Sequence, residues 1–230
     1  MSKNANGYMG IQIGKLGPAI AQMWKGRNVY RSHNPFIHDP KTDAQRQVRT
    51  RFGAINQLAR ALSPAINAGF AYKADAEHTT TRGIFVHINW PFVTVQQAGE
   101  SLQPQFDFQS IVLSEGPVPT VAFGTPTAEA DTVTIPITDN FSGIGCALDS
   151  DQVNVIMYDK DKDMSITANA LRTANNVVLS YPASWAGDEV ELYGYVTTSV
   201  TEPTYVPAYS GNVYPQMSSP SSHIATLTLN

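Results

Sequence analysis

Three aspartates stand at alternate positions in the run Asp159-Lys160-Asp161-Lys162-Asp163, which is the carboxylate spacing of a calcium-binding loop. Such a loop also needs a glycine for its sharp turn and a terminal glutamate that holds the ion with both oxygens, and the run lacks both. The two lysines would repel a cation. Because the run lies between two candidate strands, we predict a solvated hairpin turn and no metal site.

A glycine-rich run near the N terminus is similar to a phosphate-binding loop. Between Gly10 and Gly14, however, there are three residues where the loop requires four. Leu16 follows Lys15 at the position where a hydroxyl group must bind magnesium. We therefore predict no nucleotide site, and an extended arm or short strands with tight bends are both open for this glycine-rich region.

The remaining reactive side chains are scattered along the chain. Cys146 has no histidine close in sequence and no activating motif, so we predict that it is a small buried residue without a catalytic role. The histidines lack the spacing of a zinc motif and are interpreted as surface or loop residues: His33, His38, His78, His87 and His223. Carboxylates that pair only in space stay open at this stage. We predict a protein that is not an enzyme and binds no cofactor.

Positive charge is concentrated in the first third of the chain. Residues 1–72 carry a net charge of +8, residues 73–115 carry −3, and residues 116–230 carry −9. A compact region so charged repels itself unless a partner neutralises it. The candidate interaction residues are Arg46, Arg49, Arg51 and Arg60 on a predicted helix, and Lys15, Trp24, Lys25, Arg27 and Arg31 in the arm. Arginines at helical spacing also occur on solvated faces, so a solvated face, an acidic protein partner and nucleic acid are three open alternatives.

The elements that must position these residues begin with a helix. Thr42-Asp43-Ala44-Gln45 is a capping box. Behind it an apolar stripe predicts a helix face directed at the core: Val48, Phe52, Ile55, Ala59 and Leu62. Pro64 is expected to end or kink this helix, and a shorter helix is predicted from about Thr81 to Trp90.

From about residue 109 the pattern has period two. It predicts strands at 110–113, 118–123, 132–138, 152–158, 165–170, 177–181, 189–198 and 223–229. Short strands without intervening helices are typical of an antiparallel sandwich. Residues 199–222, rich in proline, serine and tyrosine, predict a long surface excursion.

The sequence therefore predicts an α+β chain in two regions. Residues 1–115 form a basic glycine-rich arm and a helical segment. Residues 116–230 form an immunoglobulin- or fibronectin-like antiparallel sandwich, which we expect to fold by itself. No apolar run is long enough for a transmembrane helix, and the first residues do not have the pattern of a signal peptide.

Motifs along nearly the whole chain resemble an uncharacterised protein family of Bacteroidetes and their phages. The matching motifs are Gly14-Lys15-Leu16-Gly17-Pro18, Trp24-Lys25-Gly26, Val29-Tyr30-Arg31-Ser32, Pro40-Lys41-Thr42-Asp43-Ala44-Gln45, Gln47 with Arg51-Phe52, Val112-Leu113-Ser114-Glu115-Gly116-Pro117 and Pro182-Ala183-Ser184-Trp185-Ala186-Gly187-Asp188-Glu189-Val190. The family usually shows arginine or lysine where Glu115 stands. The resemblance implies no chemistry. It implies a structural protein of the virion, in particular of the stacked tail rings of crAss-like gut phages.

These observations predict a non-enzymatic virion structural protein, a component of an oligomeric ring in a short phage tail. Its expected partners are further copies of itself and neighbouring virion proteins, with DNA close by and no membrane. We expect it in the virion tail after synthesis in the host cytoplasm. One alternative is a cell-envelope or surface binding module that uses the sandwich loops and the excursion. A third interpretation is a DNA-contacting protein that uses the basic arm.

Overall fold

The structure is a computed structural model that describes residues 13–24, 27–33, 39, 41–99, 101–139, 147–198 and 216–229. The chain divides into two compact units, residues 1–45 and residues 46–230. Predictions that concern Lys25, His38, Cys146, the first glycine of the phosphate-loop-like run and residues 199–215 of the excursion lie outside the described residues.

The smaller unit contains a three-stranded antiparallel sheet in the order β1-β2-β3. Its strands are β1 (Gly14–Leu16), β2 (Ala19–Trp24) and β3 (Arg27–Ser32). The tight connection between β1 and β2 uses Gly17 with φ 57°, a left-handed conformation that glycine adopts without steric cost. The described part of the glycine-rich region is therefore folded into short strands with a tight turn, which was one of the two conformations that its sequence allowed.

Four helices follow: α1 (Asp43–Ala61), α2 (Ser63–Gly69), α3 (Ala71–Ala76) and α4 (Thr81–Asn89). The cap at Thr42 is confirmed, because its Oγ1 accepts a hydrogen bond from the Gln45 N–H at 3.4 Å. Pro64 lies in the first turn of α2, where a missing N–H costs nothing, so it marks a break after α1 as predicted. The predicted helix at Thr81 is also confirmed, and Thr80 Oγ1 caps it by accepting from the Gly83 N–H.

A two-stranded hairpin, β4 (Val93–Ala98) with β5 (Ser101–Phe106), comes after the helices. The remaining strands form two antiparallel sheets with the orders β11-β8-β6 and β10-β9-β12-β13, and β7 also pairs with β8. Their bounds are β6 (Ala122–Phe123), β7 (Thr127–Ala128), β8 (Thr132–Thr138), β9 (Gln152–Asp159), β10 (Met164–Leu171), β11 (Asn176–Ser180), β12 (Glu189–Thr197) and β13 (Ser222–Thr228). The larger unit is therefore a mixed α and β structure with antiparallel sheets.

Two hydrophobic cores lie on opposite faces of the β10-β9-β12-β13 sheet. On one face, side chains such as Ile156 and Tyr195 pack against the helices. On the other face, side chains such as Val155 and Leu192 pack against residues of β8 and β11. Strand alternation explains this arrangement, because successive side chains point to opposite faces. The result is three layers: helices, the four-stranded sheet, and the β11-β8-β6 sheet.

Gly194 shows how closely the two sheets approach each other. A Cβ at this position would lie 2.3 Å from the ring of Phe123. No side chain tolerates that distance, so the strand needs glycine there for the ring to pack.

Several predictions about elements were wrong. Residues 110–113 form no strand, because a 3-10 helix (Phe108–Ser110) leads into irregular chain there. The strand predicted at 118–123 shrinks to β6. Helices α2 and α3 and the β4–β5 hairpin were not predicted. The division into regions 1–115 and 116–230 and the independent folding of residues 116–230 stay predictions.

Candidate interaction surface

The two halves of α1 lie in different surroundings. In the second half, Gln57 Nε2 donates to Asp163 Oδ2 at 2.9 Å, and the Ala61 carbonyl accepts from Ser165 Oγ at 2.6 Å. In the first half, Val48 is 55% exposed and Phe52 is 54% exposed. The predicted helix is confirmed, and its apolar stripe is covered only in the second half of α1. We call residues 46–53 of α1 the overhang.

The overhang borders a cleft. Arg46, Arg49 and Thr50 line it together with Leu102 from β5, and its volume is about 340 Å³. Arg46 and Arg49 are both exposed, as is Arg60 on the second half of α1. These three arginines are spaced by nearly whole helical turns, so they share one side of α1.

Arg51 has a different role from the other arginines of α1. Its guanidinium carbon lies 4.1 Å from the centroid of the Trp90 ring, and Nη2 donates to the Trp90 carbonyl. A guanidinium group stacked on an indole ring is a favourable cation–π contact. Arg51 therefore links α1 to the end of α4 within the chain, although it was predicted among the interaction residues.

The small sheet brings four predicted interaction residues onto one face. Lys15 of β1 and Arg31 of β3 both pair with Ile20 of β2. Because side chains alternate along a strand, Trp24 shares this face with Ile20, and Arg27 shares it with Arg31. No aspartate or glutamate occurs before Asp39. The charged groups on this face are therefore all cationic, and the indole of Trp24 lies at its edge beside uncharged side chains such as Ile20.

Exposure in this sheet is high. Lys15, Arg27 and Arg31 are exposed, and Trp24 is 43% exposed. Ala21, on the opposite face, is the one buried residue among the described positions of the three strands. A three-stranded sheet needs a hydrophobic face, or packing against another element, for independent stability.

Most carboxylates at one end of the β10-β9-β12-β13 sheet have partners inside the chain. Glu191 Oε1 accepts from Lys160 Nζ at 3.0 Å, and its Oε2 lies 2.7 Å from His223 Nε2 and 2.8 Å from Thr226 Oγ1. Burial alone would raise the pKa of Glu191, but these hydrogen bonds outweigh it and lower the pKa below the ordinary glutamate value.

The run of alternating aspartates forms the turn between β9 and β10. Asp159 Oδ1 accepts from the N–H groups of Asp161 at 2.8 Å and Lys162 at 3.1 Å, and Lys162 also bridges to Asp188. The predicted hairpin is confirmed, but Asp159 is fully buried, so the prediction of a solvated turn was wrong for this residue. Among the residues the structure describes, no group of three or more His, Cys, Asp or Glu could hold a metal ion.

A second buried ion-pair network centres on Arg172, which the sequence analysis missed. Its Nε lies 3.0 Å from Asp139 Oδ1, Nη1 lies 3.3 Å from Asp151 Oδ2, and Nη2 donates to the Pro119 carbonyl at 2.9 Å. Its side chain is fully buried. The one available signal was a single arginine in a stretch otherwise poor in positive charge.

The turn at one end of the β11-β8-β6 sheet has the opposite charge to the overhang. Residues 116–139 and 173–187, which supply this sheet and its turns, contain no lysine or arginine and three acidic residues, of which Asp139 is paired with Arg172. Glu129 and Asp131 are exposed in the turn before β8. Val178, which points outward from β11, is 49% exposed.

The predicted surface histidines lie in several places. His78 and His87 are exposed, and His33 is half-buried in the small unit. His223 is half-buried beside Glu191, with its ring edge against Tyr193 at a centroid distance of 5.3 Å. No helix within the described ranges has the length and apolar character needed to cross a membrane.

The comparisons with known proteins identify the family. A protein-family model described as "Family of unknown function (DUF6266)" matches residues 11–206, which include the small sheet, the helices and most of the strands. The chain therefore belongs to this DUF6266 family. No curated protein and no solved structure matches the chain.

Proposed function

We propose that this protein is a non-enzymatic building block that assembles with further copies of itself into a ring. The observation that carries the proposal is the cationic face of the small sheet. Lys15, Arg27 and Arg31 stand together there without a nearby acidic residue in the sequence. Like charges on one face of a sheet repel each other. A partner with negative charge would relieve this repulsion, and the acidic second half of another copy has that charge.

We further propose that residues 116–230 form an immunoglobulin- or fibronectin-like sandwich. The order of the described strands supports this proposal. Along the chain, β6 and β8 belong to one sheet, β9 and β10 to the other, β11 returns to the first, and β12 and β13 to the second. Alternation of this kind between two antiparallel sheets is typical of such sandwiches.

The virion assignment is the most specific part of the proposal. It rests on the motifs that the chain shares with the family, whose members resemble tail-ring proteins of crAss-like phages. We propose that the ring belongs to a short phage tail, where it contacts neighbouring virion proteins after synthesis in the host cytoplasm. Heterologous contacts between identical copies close into a ring when the rotation between neighbours permits it.

The experiment is a mass measurement of the purified protein in solution. We expect an oligomer of defined mass, and we expect deletion of residues 1–35 to leave a folded, soluble monomer. Circular dichroism of the deletion variant checks that residues 46–230 still fold. A wild-type chain that stays monomeric at all tested concentrations would contradict the proposal and favour the surface binding module.

A charge reversal tests the cationic face itself. Arg31→Glu should slow assembly, with Lys41→Glu as the control, because Lys41 is exposed outside the sheet. In about 1 M salt the Debye length falls to about 3 Å, so the wild-type should also assemble more slowly there. If Arg31→Glu assembles normally but loses retention on DNA, the face binds nucleic acid and the oligomer contact lies elsewhere.

A further inference from the structure

Two surfaces of opposite charge lie on opposite sides of residues 46–230. The helical layer and the β11-β8-β6 sheet are separated by the β10-β9-β12-β13 sheet, whose two faces pack against one each. A single copy therefore holds the overhang of α1 and the outer face of β8 and β11 too far apart to meet. Two copies can bring them together.

The overhang has the composition of an interface. Val48 and Phe52 are one helical turn apart, so they form a continuous apolar strip, and both are more than half exposed. Arg46 and Arg49 line the cleft beside this strip, and Arg49 is a neighbour of Phe52 because the two residues are three positions apart. Apolar side chains bordered by arginines are typical of protein contacts.

The outer face of the β11-β8-β6 sheet, with the turn at its end, complements the overhang in apolar character and in charge. Val178 on β11 and Pro136 on β8 are exposed there. Glu129 and Asp131 lie at the end of this face, in the turn that leads into β8. Because the segments that build the face contain no lysine or arginine, nothing in them competes with the arginines of a partner.

We propose that the overhang of one copy docks on the outer face of β8 and β11 of a second copy. Arg46 and Arg49 of the first copy then meet Glu129 and Asp131 of the second, and Val48 and Phe52 are covered. The inference rests on the proposed self-assembly and adds a second contact between copies, which assembly needs in addition to the contact made by the small sheet. Since the two surfaces differ and lie on opposite sides, the contact is heterologous and each copy bonds to two neighbours.

A charge swap tests the pairing directly. Arg46→Glu with Arg49→Glu should slow assembly roughly tenfold or more, and so should Glu129→Lys with Asp131→Lys. The chain that carries all four changes should regain most of the wild-type rate, because both surfaces have exchanged sign. The control, Asp75→Lys with Asp161→Lys, changes the charge equally at exposed sites elsewhere and should assemble as wild-type does.

Substitutions of the exposed apolar side chains by serine test the apolar part of the contact. Val48→Ser with Phe52→Ser should reduce the oligomer population and leave the unfolding midpoint of the protomer unchanged. Met164→Ser with Leu171→Ser is the matched control, because these two side chains on β10 are 55% and 53% exposed. The control should assemble normally.

The outcomes separate this inference from the proposed function. A monomeric wild-type chain would overturn both. An oligomeric wild-type chain whose charge-reversed and apolar variants assemble at the normal rate would overturn the docking inference alone. Failure of the fourfold charge swap to restore assembly, when each pair of changes abolishes it, would also overturn the pairing of these surfaces.

Discussion

The two halves of α1 have the same apolar spacing but different surroundings. In the second half Ile55 and Ala59 are buried in the core that the helices share with the four-stranded sheet, whereas Val48 and Phe52 in the first half are largely exposed. The charged groups differ in a similar way. Glu191 and Asp159 are buried and accept hydrogen bonds within the chain, whereas Arg46 and Arg49 are exposed beside a cleft. An amphipathic stripe therefore shows which face of a helix is apolar, but the same chain need not cover all of it.

The largest expected effect on stability comes from a substitution in the buried second half of α1. Ile55→Ala should lower the free energy of unfolding by about 2–5 kcal/mol, because it removes buried methyl groups and leaves a cavity. Urea denaturation measures this value. A loss below about 1 kcal/mol would mean that the second half of α1 packs loosely, and the contrast between the halves would disappear.

Acidification should destabilise the part of the sheet whose carboxylates are paired. The pKa of Glu191 is lowered in the folded protein, so its ionised form contributes stability above the unfolded pKa of about 4.3. That contribution is lost as the pH falls through the folded value. The urea midpoint should therefore fall on acidification, and Glu191→Gln should show a smaller fall. Equal pH profiles for the two chains would contradict this assignment.

Arg51 lies within the overhang but contacts the end of α4. Arg51→Leu should lower the free energy of unfolding by about 1 kcal/mol, because it removes the contact with the Trp90 ring and a donor to the Trp90 carbonyl. Arg51→Lys should restore only part of this loss, since an ammonium group lacks the planar guanidinium that stacks on the ring. Thermal unfolding of both variants measures the difference. Full recovery by lysine would show that charge alone matters.

The smallest expected effect on stability comes from a substitution in the exposed first half of α1. Phe52→Ala should change the free energy of unfolding of the isolated protomer by no more than about 0.5 kcal/mol, because its side chain is largely in water. The measurement is made at a protein concentration at which the chain is monomeric. A loss as large as that of Ile55→Ala would show that Phe52 is packed within its own chain.

Much of the fold was predictable because local signals were strong. The cap at Thr42, the break before Pro64 and the alternating strands from β8 onward all depend on neighbouring residues in the sequence. The β4–β5 hairpin was missed although Val93 and Val95, and Leu102 and Phe106, fall at alternate positions. Its strands are mostly solvent-exposed, and Pro104 within the second strand argues against a strand there. Residues 110–113 have the apolar content of a strand, but they pair with no other strand in the described structure.

The sequence by itself determined the helix of the arginines, the period-two pattern of the second half and the separation of charge along the chain. Only the tertiary structure decided which charges meet. It placed Lys15, Trp24, Arg27 and Arg31 on one face through strand register, bound Arg51 to Trp90, and enclosed Arg172 between Asp139 and Asp151. The physical reason is that period and capping are properties of neighbouring residues. Pairing across sheets and layers depends on residues far apart in sequence, which no local pattern contains.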